Sequence, residues 1–324
     1  ILGFFLGWLE EFAARYEKVT VVALGVGNYR LPANVRVFSL GKEKGAWRVL
    51  RAWRFLRYAA GLRDEYDAVF VHMNQEYVLL GGWLWKLLGK PVYLWRNHYA
   101  GTVLTGIAVL LCKNVFCTSK YSYTARYKKT IVMPVGVDTD FFKPDASITK
   151  SPHSVLFLGR IAPSKNVHIF IEALGKLRAE GVAFVARIYG DPLPKDRAYY
   201  ERLKSLSREL GIVDRVTFHQ GIPHRETPRV YNAHELFVNC SPSGMYDKTV
   251  FEASACGTAA LFSSPELARE FAPRLLFREG DSLDLAEKIR NFFSLRREEK
   301  RDLGEAARGF VALRHSLSVL GEKI

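Results

Sequence analysis

Val155-Leu-Phe-Leu-Gly-Arg-Ile-Ala-Pro-Ser-Lys165 decides how the chain is read. Four apolar residues run into Gly159, where the backbone can turn sharply, and Arg160 and Lys165 follow as two cations suited to a diphosphate. The segment after them places Val167, Phe170, Ile171, Leu174 and Leu177 on one face, the pattern of an amphipathic helix. Further apolar runs at 182–189, 216–220, 236–240, 259–262 and 275–277 alternate with such segments. Strands alternating with helices predict a doubly wound α/β domain with a parallel sheet.

A second signal, Thr249-Val-Phe-Glu-Ala-Ser-Ala-Cys-Gly257, begins a helix and carries Glu252 inside it. Free N–H groups and the positive dipole end of a helix favour phosphate, and a carboxylate placed like Glu252 can accept from two neighbouring ribose hydroxyls. Both segments therefore fit one ligand, a nucleotide sugar. The polar punctuation, Gly159-Arg160, Gly190-Asp191, Gly221, residues 241–244 and Ser263-Ser264, falls after the strand ends, where such sheets bind ligands. Ordinary βα turns also use Gly and Ser, so the three charged residues weigh more than the glycines.

The N-terminal half repeats the pattern, with strands expected at 19–24, 35–38, 68–71, 92–95 and 115–118. At 324 residues and 48% hydrophobic, the chain exceeds one ordinary core. The expected division is a first Rossmann-like domain at 1–144, a polar linker at 145–153 and a second Rossmann-like domain at 154–324, whose last helices pack back on the first. The chain starts at Ile1 in a helical pattern of Phe5, Leu9, Phe12 and Tyr16. A strand and its loop are expected upstream, about 10–20 residues in all.

A net charge of +14 implies anionic partners: nucleotide phosphates, an anionic membrane surface or nucleic acid. Nucleic acid is set aside, because no binding module or basic aromatic repeat occurs. Gly25-Val-Gly27 lacks the third glycine and the helix of a dinucleotide fingerprint, which sets aside a nicotinamide dehydrogenase. The four cysteines contain no C-x-x-C pair and read as reduced, small apolar residues. The longest apolar stretches, such as 103–111, fall short of the roughly 20 residues of a membrane span, and no signal peptide is recognisable, so a cytoplasmic protein is expected. Residues 47–63 carry five arginines among aromatics without an acid. That segment reads either as a helix docking at the inner face of an anionic membrane or as a solvated helix with an apolar core face.

In order and spacing, Val135-Gly-Val-Asp-Thr-Asp-Phe-Phe142, Gly159-Arg160 to Lys165, Ser241-Pro-Ser243 and Phe251-Glu-Ala-Ser-Ala-Cys-Gly257 resemble the retaining glycosyltransferase family 4, also called glycosyl transferases group 1. The resemblance implies a GT-B fold, two Rossmann-like doubly wound domains facing a cleft. It implies transfer from a UDP- or GDP-sugar donor to a glycan or lipid-linked acceptor, in polysaccharide or cell-envelope biosynthesis. By the same resemblance Arg160 and Lys165 hold the diphosphate, Glu252 the ribose, and His98 of Trp95-Arg-Asn-His98 stands near the donor sugar. Gly159, Gly190, Ser243, Gly244 and Met245 complete the expected donor contacts.

One departure touches mechanism. The family's first glutamate falls at Gly244, and Asp247 either replaces that carboxylate or caps the helix that follows. If it only caps, the sugar hydroxyls fall to backbone amides around Gly244 and Met245. No Asp-x-Asp pair stands in a loop suited to a divalent metal, so neither metal nor further cofactor is called for. The rival reading is a non-catalytic sugar-nucleotide-binding partner or sensor of the same fold.

Overall fold

The computed structural model describes residues 4–243 and 246–324. They form two compact units, one running to Gly136 and including Leu320–Ile324, the other Val137–Val319. The division by contacts thus falls at Gly136, ahead of the expected boundary at 144.

In the first unit, α1 (Phe4–Arg15) leads to β1 (Val19–Ala23) and β2 (Val35–Ser39), which pair in parallel. Then α2 (Arg48–Gly61), β3 (Val69–His72), α3 (Gln75–Leu87), β4 (Val92–Trp95), α4 (Val103–Leu111), β5 (Asn114–Cys117) and β6 (Thr130–Val132) build a separate parallel sheet in the order β3-β4-β5-β6. Successive strand residues point to opposite faces, and β3 shows the consequence. Val71 joins Leu94 and Val115 under the buried faces of α2, α3 and α4, where Phe55, Val78, Trp85 and Val109 complete one core. Phe70 points to the other face and meets Phe12 of α1 edge-on, with ring centroids 5.5 Å apart. Among the described residues no helix is long and apolar enough to cross a membrane.

The second unit contains β7 (Ser151–Leu158), α5 (Val167–Ala179), β8 (Val185–Tyr189), α6 (Arg197–Glu209), β9 (Val216–His219), α7 (Thr227–Asn232), β10 (His234–Asn239), α8 (Lys248–Ala255) and β11 (Ala259–Phe262). After them come α9 (Ser282–Ser294), α10 (Arg297–His315) and the start of α11 (Leu317–Lys323), whose residues from Leu320 on belong to the first unit. All five strands are parallel, in the order β11-β10-β7-β8-β9. Two expectations are corrected. Residues 275–277 form no strand: after the turn at Pro273–Leu275 the chain reaches the sheet for one bridge, Leu276 to Phe262. The strand expected from 155 begins at Ser151, inside the segment read as linker.

Six of the eight residues of α8 are buried, and α10 packs against its end. A Cβ on Gly304 of α10 would stand 2.3 Å from the Gly257 carbonyl oxygen, so only glycine allows this approach. Arg308 of α10 donates to the carbonyl oxygens of Ala255 and Phe142, satisfying a carbonyl in the last turn of α8.

A second close approach shapes the ligand edge. Gly190, at the end of β8, lies so near the Gly159 carbonyl oxygen that an added Cβ would sit 1.9 Å from it. Gly190→Ala is expected to lower the unfolding free energy by about 1–3 kcal/mol, the cost of forcing a packed contact apart. Chemical denaturation followed by far-ultraviolet circular dichroism measures this, and an unchanged midpoint would show that the two turns part freely.

Candidate functional site

A doubly wound sheet opens a crevice where neighbouring crossovers leave in opposite directions. In the second unit β7 proceeds through α5 to β8, and β10 through α8 to β11, on the other side. The crevice therefore lies at the carboxyl ends of β7 and β10, and both segments singled out in the sequence emerge there.

From β7 the chain passes Gly159 and Arg160 into a short turn, Pro163–Lys165, which Asn166 ends in the left-handed conformation at φ 48°. Arg160 is exposed and has no hydrogen-bond or ion-pair partner among the described residues. No atom lies within 4 Å of the place where a Cβ on Gly159 would stand. Lys165 is tied down instead. Its Nζ lies 2.6 Å from Asp247 Oδ2 and donates to Ser241 Oγ at 3.2 Å, while Ser241 Oγ donates to the same carboxylate oxygen at 3.0 Å.

Asp247 caps α8: its Oδ1 accepts from the Thr249 amide at 3.2 Å and from Thr249 Oγ1 at 2.8 Å. Of the two readings of Asp247 the cap is present, joined by an ion pair the sequence did not foresee. Burial alone would raise the Asp247 pKa, but the Lys165 charge and the surrounding donors hold it well below the usual carboxylate range.

One turn into α8, Glu252 is buried, 5% exposed. Its Oε2 accepts from the Tyr231 hydroxyl at 3.3 Å, and its Oε1 lies 3.5 Å from His224 Nε2. The His224 ring stacks on Phe141 and meets Phe142 edge-on. Lys248 stands four residues before Glu252, on the same helix face. Burial pushes the Lys248 ammonium down to about 8 against the opposing charges of Glu252 and Asp138. Sequence reasoning missed both Lys248 and His224. The i, i+4 spacing from Glu252 was a usable signal for Lys248; His224, a lone histidine in a polar turn, gave none.

Ser243 is held by acids, its amide donating to Glu279 at 3.0 Å and its hydroxyl to Glu266 at 2.9 Å. Gly244 and Met245 lie outside the described residues. His98 belongs to the first unit, on the exposed loop after β4. Its Nδ1 lies 3.0 Å from the Ala100 amide and 3.2 Å from the Ala100 carbonyl oxygen, and the ring stacks on Tyr99. Two open depressions of about 530 and 720 Å³, one around Ser263 and Lys288 and one around Lys143 and Arg229, include none of Arg160, Lys165 or Glu252.

The profile of the family described as "Glycosyl transferases group 1" matches residues 138–310. D-inositol 3-phosphate glycosyltransferase of Mycobacterium sp. (strain KMS) is 33% identical over 175 residues, covering 50% of this chain and 39% of the relative. The protein of that name from Mycolicibacterium smegmatis is 36% identical over 141 residues, covering 41% of this chain and 31% of the relative. The chain thus spans less than half the length of the curated relatives it matches. HepE of Anabaena, solved with UDP and glucose, superposes with a TM-score of 0.79 at 19% identity, covering 100% of this chain and 94% of that one. Sucrose-phosphate synthase of Thermosynechococcus elongatus gives 0.80 at 18% identity, covering 98% and 89%. The fold is that of the GT-B glycosyltransferases, α/β with parallel sheets.

Asp247→Asn keeps a capping side chain but removes the charge facing Lys165. It is expected to lower the unfolding free energy at neutral pH by about 1.5–3 kcal/mol, the worth of a charge-assisted hydrogen bond. Because the folded-state pKa is depressed, the wild-type advantage is present above the ordinary aspartate value of about 3.9 and is lost as pH falls below it. Urea denaturation of both proteins across that range checks the sign, and equal stability at pH 7 would show the pair to be energetically idle.

Proposed function

The chain belongs to the glycosyl transferases group 1, and from that membership we propose that it transfers a sugar from a UDP- or GDP-linked donor to a hydroxyl of a glycan or lipid-linked acceptor, with retention at the anomeric carbon. The observation that carries the reading is the convergence at the β7–β10 crevice of Arg160, Lys165, the start of α8 and Glu252. Arg160 is unpaired among the described residues and meets the diphosphate directly, while Asp247 holds Lys165 in place beside it. Glu252 takes the ribose hydroxyls, and Tyr231 and His224 orient its carboxylate.

Breaking the bond between the anomeric carbon and the diphosphate leaves negative charge on the departing phosphate. Arg160, Lys165, Lys248 and the helix amides stabilise it without a metal, because fixed donors at the place where charge develops need not reorganise. His98, in the first unit, is the residue that the family resemblance assigns to the neighbourhood of the donor sugar. The acceptor class proposed, a glycan or lipid-linked species of the polysaccharide or cell-envelope kind, is supported by the family resemblance and by the net charge of +14. A second reading, a sugar-nucleotide sensor, is favoured by Gly244, which stands where the family has a carboxylate. Purified protein that binds UDP but neither hydrolyses nor transfers from any UDP- or GDP-sugar would decide for the sensor.

UDP is the first probe. Arg160→Ala should weaken UDP binding by about tenfold to a hundredfold, or roughly 1.5–3 kcal/mol, and leave uridine binding unchanged. Calorimetry that finds equal losses for both ligands would remove Arg160 from the diphosphate. In Glu252→Gln, the preference for UDP over 2′-deoxy-UDP should shrink while the melting temperature holds; a retained preference would reduce Glu252 to a structural acid.

Affinity for UDP should also fall as pH rises through about 8, where Lys248 loses its proton, and Lys248→Met should flatten that profile. A Lys248→Met profile as steep as wild type would place the titrating group elsewhere.

A further inference from the structure

The outer layer of the first unit leaves large apolar side chains in water. Helix α4 exposes Val103 and Leu110 by 81% and 75%, with Leu104 and Ile107 between them, while its opposite face is buried. The neighbouring α3 exposes Leu80, Trp83 and Leu87 at i, i+3 and i+7, the last by 87%. The two helices lie side by side: their buried faces share one core over β3–β5, and a Cβ on Gly82 would stand 2.9 Å from Leu111. Two apolar stripes therefore run next to each other on one surface, a feature that marks an interaction site on a folded protein.

Charge says what covers it. From Tyr77 to Val137, 61 residues that include α4 and all of α3 after its first two residues, the chain has eight lysines and arginines and no aspartate or glutamate; Glu76, in the first turn of α3, is the one acid of the two helices. Exposed Lys86 and Lys113 stand at the carboxyl ends of α3 and α4, and exposed Lys128 just before β6. A second copy would set this predominantly basic surface against itself, mostly cation against cation. Nucleic acid would use the cations but has no place for aliphatic Val103 and Leu110. An anionic bilayer uses both, taking apolar side chains into the acyl boundary and a tryptophan such as Trp83 at headgroup level.

We propose that the outer face of α3 and α4 docks on an anionic lipid bilayer. This moves the membrane contact away from the arginines of 47–63, which serve the protein in part: Arg54 donates to the Leu40 carbonyl at 3.0 Å, and Arg57 lies over the Trp53 ring. Docking does not depend on the donor chemistry, so each variant below is expected to bind UDP as the wild type does.

The test is flotation of the full chain with vesicles of phosphatidylcholine, alone or mixed with phosphatidylglycerol. Wild-type protein should float with the mixed vesicles and far less with the neutral ones, and added salt should weaken the association. Val103→Glu with Leu110→Glu should cut partitioning at least about tenfold, because two apolar side chains no longer enter the bilayer. Both sites are exposed, so the melting temperature should hold; should that pair disturb α4, Trp83→Ser with Leu87→Ser on α3 carries the test. Three results would overturn the proposal: no partitioning of the wild type, equal partitioning into neutral vesicles, or variants that fold and float like the wild type. A wild-type dimer in sedimentation that the glutamates dissociate, without vesicle binding, would assign the face to a second copy. Nucleic-acid binding without vesicle binding would assign it to that polymer.

Discussion

The ion pair of Lys165 with Asp247 is the contact on which the rest of the crevice geometry hangs. One partner follows β7 and the other starts α8, so the bond ties together the two arms of the chain that part at the middle of the second sheet. Because Asp247 also caps α8, the position of Lys165 and the start of that helix are fixed by one carboxylate. Glu252 and Lys248 inherit their placement from the helix. A buried pair of this kind is weak evidence for stability, since desolvation offsets much of the attraction, but losing one partner leaves the other charge stranded. Its main effect is to set geometry.

Much of the fold was legible because the periods are strong and the turns carry glycine. The helix at Val167–Ala179 and the strand ends at Gly159 and Gly190 follow from the sequence alone. The short edge strand Thr130–Val132 was not marked as a strand, since three residues give too little alternation to read. Residues 275–277 misled in the opposite direction: they are apolar like a strand, yet the preceding turn lets them touch the sheet only once. At the site the candidate cations and carboxylates were identifiable by type, but their pairing was not. Lys165 and Asp247 are 82 positions apart, and nothing local announces that they meet. The same holds for His224, which gains its place from Phe141, Phe142 and Glu252.

The excess of positive charge separates into two physically different populations. Arg160, Lys165 and Lys248 gather at one sheet edge, where Lys165 is paired with Asp247 and Lys248 feels the charges of Glu252 and Asp138. The cations between Tyr77 and Val137 have no acids among them in sequence, and two of them, Lys86 and Lys113, stand at the ends of helices that expose apolar side chains. Net charge alone could not distinguish these, because +14 counts both alike.

Helix α8 is held at both ends, by Asp247 at its start and by α10 at its finish, where Gly304 lets the backbones touch and Arg308 binds the carbonyl of Ala255. Opposite charges at the two ends also complement the helix dipole. A shortened chain that stopped before α10 would keep every residue of the crevice, yet its central helix would have a frayed end and an uncovered flank. Proteolytic clipping between α9 and α10 would have the same outcome if the released segment diffused away. Parts of the chain far from any ligand are in this way as necessary to the crevice as the residues that line it.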